Sequence, residues 1–320
     1  VIPLKKFTRW SDKNPKLYEV SISTSSDKIT DKIGFRQIAT KGSDILLNGE
    51  KVFLKGISIH EENVMRGGRA YSMEDAKVLL GWAKELGCNF VRLAHYPHNE
   101  NMARFADEMG MLIWEEIPVY WTIDWANEET YKKAETQLRE VISRDKNRAS
   151  VIIWSMANET PQSDDRLSFL TNLAKTTRSL DKTRLITAAL EDHPSEGDKN
   201  VMVIEDRFSD VVDIVSFNQY YGWYGGKIED LKNIRWEIDI DKPVIVSEFG
   251  AAALQGNHGN KSTMWTEENQ AYLYKETLPA LAKIKQFSGV TPWILTDFRS
   301  PRRMHDVYQN GYNRKGLISE

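Results

Sequence analysis

Hydrophobic and polar positions follow two different rhythms along this chain. Through residue 40 they alternate in twos, as in Tyr18-Glu19-Val20-Ser21-Ile22-Ser23, and polar turns interrupt them at residues 11–15 and 25–30. Period two predicts short strands, and no helical period competes with it there. Asn48-Gly49 then stands between Ile45-Leu46-Leu47 and Val52-Phe53-Leu54. Such a pair accepts the positive φ angles of a tight turn, so a hairpin is predicted. From Leu54 onward the rhythm changes. Short apolar runs at residues 54–59, 89–93, 111–114, 151–155, 185–188, 214–217, 244–247 and 291–295 are separated by stretches of helical period. Over residues 74–86, Ala76, Leu79, Leu80, Ala83 and Leu86 share one face, and Ser72 three positions before Asp75 supplies a helix start. Similar periodicity covers residues 99–108, 128–144, 165–180 and 267–286, whereas the connector after the fifth run is polar and weakly periodic.

Eight apolar runs with helices between them predict an α/β chain of the (β/α)8, or TIM, barrel type. A doubly wound sheet shares the alternation but wants a glycine-rich phosphate turn after an early strand, and none occurs. The division expected is a β-rich segment at residues 1–40 and a barrel at residues 41–320. The first segment is too small to bury a core of its own, and the sequence ends at Glu320 soon after the eighth run, so the eighth helix is missing. A fragment of a longer multidomain chain is the expectation.

Composition narrows the function. A formal net charge of -3 with mixed signs calls for neither nucleic acid nor an anionic membrane as partner. No run of 18 or more apolar residues encodes a membrane span. The lone cysteine, Cys88, rules out an internal disulfide and leaves the compartment open. It falls where a helix gives way to a strand and reads as packing. Ten Trp and twelve Tyr are a heavy load, and many follow apolar runs directly, among them Tyr120, Trp121, Tyr220, Tyr224 and Trp293. Trp114 and Trp154 serve core filling as readily as function. The others suit a sugar site, where aromatic faces pack on pyranose C–H groups.

Chemistry in such a barrel sits at the C-terminal ends of the strands. The runs end in His60-Glu61-Glu62, in Arg92-Leu93-Ala94-His95-Tyr96-Pro97, in Glu115-Glu116, in Asn158-Glu159, in Asn218-Gln219-Tyr220-Tyr221, in Glu248 and in Thr296-Asp297. Strands four and seven lie on opposite sides of the mouth, so Glu159 and Glu248 can flank one glycosidic bond. A spacing of about 5–5.5 Å between two carboxyl groups supports a covalent intermediate and retention. Glu159 suits the acid/base, beside an Asn158 able to hold a sugar hydroxyl. Glu248 suits the nucleophile, held ionised by Arg92 and by the hydroxyl of Tyr220 or Tyr221. The charge on Glu248 is expected to raise the pKa of Glu159 until the glycosyl ester removes it. Either glutamate alone reads equally well as a helix cap. Both together, with Asn158, Arg92 and the aromatics, favour catalysis.

These segments resemble a known family. Trp154-Ser155-Met156-Ala157-Asn158-Glu159 and Val246-Ser247-Glu248-Phe249-Gly250 look like the acid/base and nucleophile motifs of family 2 glycoside hydrolases. Gly34-Phe35-Arg36, Leu47-Asn48-Gly49, Lys55-Gly56-Ile57-Ser58-Ile59-His60-Glu61 and the second-strand segment Val91 to Pro97 are similar to that family's passage into its barrel. The likeness covers nearly the whole chain. It implies that residues 1–40 are the tail of an immunoglobulin-like sandwich, that a jelly-roll domain is lost upstream, and that the parent enzyme is a homo-oligomer.

Within the family the sequence is most like the β-glucuronidases. Asn218-Gln219-Tyr220-Tyr221-Gly222-Trp223-Tyr224 is similar to their sixth-strand motif, and Asn313-Arg314-Lys315-Gly316 matches the Asn-x-Lys pair that grips the sugar carboxylate. An ammonium and an amide one residue apart can converge on one carboxylate. The substrate-binding set implied is His60, Arg92, Asn158, Asn218, Tyr220, Tyr224, Trp293, Asn313 and Lys315. Related enzymes acting on a β-galacturonide or a neutral β-galactoside, and a sugar-binding remnant without turnover, stand as alternatives. Arg299, Arg302 and Arg303 add positive field over an acidic substrate or form a solvated run. Glu115, Glu116, His60 and His95 have metal-ligand chemistry, but the two histidines read as sugar contacts or rim support. The mechanism requires no cofactor. The short connection at residues 117–127 leaves the mouth open, which suits aryl glycosides or glycan ends.

Overall fold

A computed structural model describes residues 6–318; the first five residues of the 1–40 segment and the last two of the 41–320 segment lie outside it. The chain opens with an antiparallel hairpin of β1 (Tyr18–Ser23) and β2 (Lys28–Ile33). A three-stranded sheet follows, of β3 (Ile38–Lys41), β4 (Asp44–Leu47) and β5 (Glu50–Lys51). Its last turn is the predicted one: Asn48 and Gly49 have φ of 57° and 92°, and Leu47 pairs with Glu50.

Beyond it strands and helices alternate. In chain order they are β6 (Leu54–Ile59), α1 (Met73–Glu85), β7 (Phe90–Leu93), α2 (Glu100–Met109), β8 (Leu112–Glu116), α3 (Glu128–Asp145), β9 (Val151–Asn158), α4 (Asp164–Leu180) and β10 (Leu185–Glu191). A small side sheet joins β11 (His193–Pro194), β12 (Val201–Val203) and β14 (Arg235–Glu237), with β13 (Val215–Asn218) lying between the last two in sequence. Then come β15 (Val244–Glu248), α5 (Glu267–Leu281) and β16 (Phe287–Val290). The parallel strands β6, β7, β8, β9, β10, β13, β15 and β16 close into one barrel. The helix starts are fixed by side chains. Ser72 and Asp75 form a reciprocal capping box, while Asn99, Asn127, Ser163 and Thr266 accept from backbone N–H groups of the helices they precede.

Two expectations need correction. The eighth strand is Phe287–Val290, and the apolar run 291–295 crosses the rim instead. Its backbone pairs with rim segments: Ser58 N–H donates to Pro292 O at 3.0 Å and Ile294 N–H to Lys315 O at 3.1 Å. That run is apolar because it is buried, whereas Ser288 and Gly289 hide the true strand from an apolar scan. The helix expected to reach residue 286 ends at Leu281. The weak connector after the fifth strand holds β11, β12 and a 3-10 turn at Arg207–Asp210 in place of an α-helix, and the one after the sixth holds a 3-10 turn at Ile228–Asn233 and β14.

The strand starts are sealed from below. Trp10, Ile38, Ile45 and Leu47 pack against Leu54, Phe90, Leu112 and Trp114 in one cluster. Arg36 adds bonds to Ala149 O and Thr183 O at 3.1 and 3.0 Å, binding the N-terminal segment to the floor. Inside the barrel the large rings are accommodated at the seam between β16 and β6. A Cβ on Gly56 would lie 2.6 Å from Thr291 Cγ2, 2.7 Å from Phe90 Cδ1 and 2.9 Å from Val290 O. Gly56→Ala should therefore cost about 1–3 kcal/mol of stability by overpacking, read as a lowered urea midpoint. An unchanged midpoint would show that this seam has slack.

Candidate active site

The floor of the barrel mouth is organised around Arg92 of β7, which has no solvent exposure. Its Nε and Nη2 donate to the two oxygens of Glu116 at 3.0 and 3.1 Å. Its Nη1 donates to Glu248 Oε1 at 2.8 Å and its Nη2 to Asn158 Oδ1 at 2.7 Å. A buried guanidinium requires such partners, because desolvation of an unpaired charge costs several kcal/mol. Sequence placed Arg92 both beside Glu248 and among the sugar contacts. Its complete burial leaves it the first role, as a positioning residue for Glu248.

Strand alternation sorts the Glu115-Glu116 pair. Glu116 faces inward to Arg92, to the Trp114 indole (2.8 Å) and to His95 Nδ1, which donates at 2.6 Å. Glu115 faces outward, toward Arg144 and Asp145. Burial pushes Glu116 up, but Arg92 and His95 outweigh it and hold the carboxyl down at about 2. His60 Nδ1 and the Tyr96 hydroxyl share a hydrogen bond of 2.8 Å, and the imidazole stacks on Phe298 with centroids 4.0 Å apart. Burial, with His95 and His98 nearby, holds it well below the usual histidine range. Among the described residues no three His, Cys, Asp or Glu side chains form a group able to hold a metal ion.

The two glutamates reach the same cavity, of about 850 Å³, from β15 and from the end of β9. Glu248 Oε2 accepts from Tyr220 OH at 2.7 Å; Tyr221 lies elsewhere, its ring against Gly226. Burial raises the Glu248 pKa, Arg92 lowers it, and Glu159 raises it again; the net direction is up. Arg92, His95 and Tyr220 thus only partly offset burial. Glu159 Oε1 accepts from Asn218 Nδ2 at 2.8 Å and Oε2 from Trp121 Nε1 at 3.0 Å. Glu159 and Trp121 both have left-handed backbones, with φ of 47° and 57°. That conformation is unfavourable for non-glycine residues and concentrates at functional sites. Asn158 Oδ1 is engaged by Arg92 and by Asn218 Nδ2 at 3.1 Å, so its amide nitrogen is the part left for a ligand.

The far end of the cavity is cationic. Lys315 is 2% exposed, and its Nζ donates to Tyr224 OH at 2.8 Å amid the rings of Tyr220, Trp223 and Tyr224. It forms no ion pair among the described residues. Burial, then Arg303, pulls its pKa down to about 7, against the opposing pull of Glu248 and Glu159. Asn313 Oδ1 accepts from the Lys315 backbone N–H at 3.2 Å. Asn313 ends, and Lys315 follows, the returning strand of a short hairpin, β17 (Phe298–Arg299) with β18 (Tyr312–Asn313). His60, Asn218, Tyr224 and Trp293 complete the wall. Sequence reasoning counted Trp121 only among the aromatics suited to a sugar site, without a bond to Glu159, and set aside Arg302 and Arg303, which line the cavity. Their position between the eighth strand and the Asn313–Lys315 pair was the available signal.

Residues 38–317 match the family described as "Glycosyl hydrolases family 2, TIM barrel domain". The chain belongs to glycosyl hydrolase family 2. It is 30% identical over 311 residues to a β-glucuronidase of Paenibacillus borealis, covering 90% of this chain and 50% of that one. A solved β-galacturonidase from Eisenbergiella tayi bound to galacturonate superposes with a TM-score of 0.86 at 28% identity, over 99% of this chain and 57% of that one. The β-glucuronidase of Ruminococcus gnavus in complex with D-glucuronic acid gives 0.83 at 27%, over 98% and 55%. The chain spans about half the length of the curated relatives it matches. No helix among the described residues is long and apolar enough to cross a membrane.

Glu116 carries most of the charge that fixes Arg92. Glu116→Ala should lower stability by about 3 kcal/mol, since it strips a buried cation of a bidentate partner. Chemical denaturation checks this, and a wild-type midpoint would mean Glu248 and Asn158 suffice to hold Arg92.

Proposed function

We propose that this cavity hydrolyses terminal β-D-hexuronides, β-D-glucuronides first, with retention of configuration. The observation that carries the reading is Lys315, a buried cation without an ion-pair partner among the described residues. It lies at one end of a cavity whose other end holds two carboxyl groups. A substrate carboxylate supplies the missing counter-charge, with Asn313 beside it. A Glu248 oxygen forms an ester bond with the anomeric carbon as the glycosidic C–O bond breaks, and Glu159 gives its proton to the leaving oxygen, which departs as an alcohol. Water then attacks that carbon, Glu159 takes the water's proton, and the Glu248 bond breaks. Asn158 and Asn218 hold sugar hydroxyls, while His60, Trp293 and Tyr220 shape the ring pocket. A β-galacturonide is the second reading. The Eisenbergiella β-galacturonidase is as similar in fold as the Ruminococcus β-glucuronidase, and a carboxylate anchor is indifferent to the configuration at carbon four. We also read residues 1–40 as the tail of an immunoglobulin-like domain of a longer, homo-oligomeric enzyme.

The test is hydrolysis of p-nitrophenyl β-D-glucuronide beside the galacturonide and the galactoside, with Glu248→Gln as the blank. Lys315→Ala should lower kcat/KM on the preferred uronide by on the order of 100-fold, the worth of one charge-assisted bond of about 3 kcal/mol. Turnover of the galactoside should stay nearly level. Uronide turnover that survives Lys315→Ala overturns the uronate assignment.

The same lysine sets a pH dependence. Its ammonium form binds the carboxylate, and its pKa in the free protein is pulled down to about 7. D-glucuronate affinity should be flat below that value and fall by about tenfold per pH unit above it, because binding then requires proton uptake. Calorimetric affinities that do not change between acidic and alkaline buffers would mean that Lys315 stays charged throughout.

A further inference from the structure

The loop at residues 300–311, between β17 and β18, forms a built wall of the cavity. Tyr308 stacks on Trp265 with centroids 5.1 Å apart and planes within 8°. Arg303 Nη2 donates to Tyr224 OH at 3.1 Å, the same oxygen that Lys315 contacts, so Arg303 belongs to the glycone end. Arg302 turns the other way. Its guanidinium carbon lies 4.9 Å from the centre of the Trp121 ring, and Trp121 Nε1 holds Glu159 Oε2 at 3.0 Å.

A general acid touches the oxygen of the departing group, so the Trp121–Arg302 pair marks the leaving-group side of the bond. A cation over an aromatic face uses none of its N–H donors in a conventional hydrogen bond, so they stay available to an acceptor. Among the described residues the Arg302 guanidinium has neither a hydrogen-bond acceptor nor an ion-pair partner. Across the mouth, Glu191 closes β10 and lines the same cavity. The leaving-group end thus has a cation on the β8 flank and a carboxylate on the β10 flank, with Glu159 between them.

We propose that Trp121 and Arg302 form a subsite for a leaving sugar that itself carries an anionic group, a carboxylate or a sulfate ester. The substrate is then an acidic oligosaccharide whose departing residue is drawn to Arg302 and turned away from Glu191. Planar, bidentate recognition by arginine suits either oxyanion. The proposal rests on the roles given above to Glu159 and Lys315.

Three disaccharides test it, each a β-D-glucuronoside, linked to a neutral hexose, to a hexuronic acid or to a sulfated hexose. Affinity is measured by calorimetry on Glu248→Gln protein, with free D-glucuronate and D-galacturonate as references for the glycone pocket. At least one acidic disaccharide should bind about tenfold more tightly than the neutral one, as one charge-assisted contact allows. The margin should vanish in Arg302→Ala and shrink with added salt, since the site is open to solvent. Preference for the uronate or for the sulfate identifies the source of the anion. Equal affinity for neutral and acidic disaccharides, or a preference that persists in Arg302→Ala, overturns the subsite while the glycone reading stands. Failure of both free uronates to bind overturns the glycone reading and this one with it.

Discussion

One buried guanidinium governs the geometry of this site. Arg92 sits where β7 leaves the barrel floor, out of contact with water, and it needs acceptors on several sides at once. It finds them on β8, β9 and β15, so four strands are locked in mutual register by one side chain. The planar fork of arginine makes this possible, since lysine offers no rigid set of in-plane donors. The arrangement has a second effect. Glu116 absorbs the bidentate face and is held ionised, which leaves a single N–H for Glu248. The candidate nucleophile is therefore positioned without being neutralised, and burial still keeps its proton affinity above that of an exposed carboxylate.

The barrel was legible because its signal is repetitive. Strands buried on both faces must be apolar and helices between them must show period 3.6, and that alternation survives local noise. It failed where burial and strand character part company. Residues 291–295 are apolar because they cross a crowded rim, while in Phe287–Val290 Gly289 has no room for a Cβ against Leu54 and Ile245, and Ser288 donates its hydroxyl to Ser43 O at 2.6 Å. The same logic explains the site. Glu159, Glu248, Asn158, Asn218 and Tyr220 end strands, so a list of strand ends finds them. Trp121 and Arg302 come from loops, whose paths sequence periodicity does not describe, and only the folded chain brings them to Glu159.

Charge is distributed along the cavity with a clear polarity. At its inner end Lys315 is surrounded by three aromatic rings whose faces favour a cation but cannot replace a counter-ion. Near the opposite wall Glu159 and Glu248 are close enough to influence one another and to act on the lysine. On the proposed reading a neutral sugar would leave that lysine without a counter-charge, whereas a uronate would supply one and turn the anomeric carbon toward the two glutamates.

The hairpin of β17 and β18 ties these features together. One foot, Phe298, stacks beneath His60, and the other, Asn313, holds the backbone that presents Lys315. The loop between the feet carries Arg303 to Tyr224 and Arg302 to Trp121. Arg303 and Arg302, on the proposed glycone and leaving-group sides, therefore hang from one short element. A change in the loop's length or anchoring would move both together, whereas Glu248 is held by Arg92 on the barrel; Glu159 is held by Asn218 and by Trp121, the ring that Arg302 of the loop contacts. On the proposed reading the two glutamates stand at the ends of barrel strands while part of substrate recognition hangs on this excursion, so that changing the loop would alter substrate choice on one scaffold.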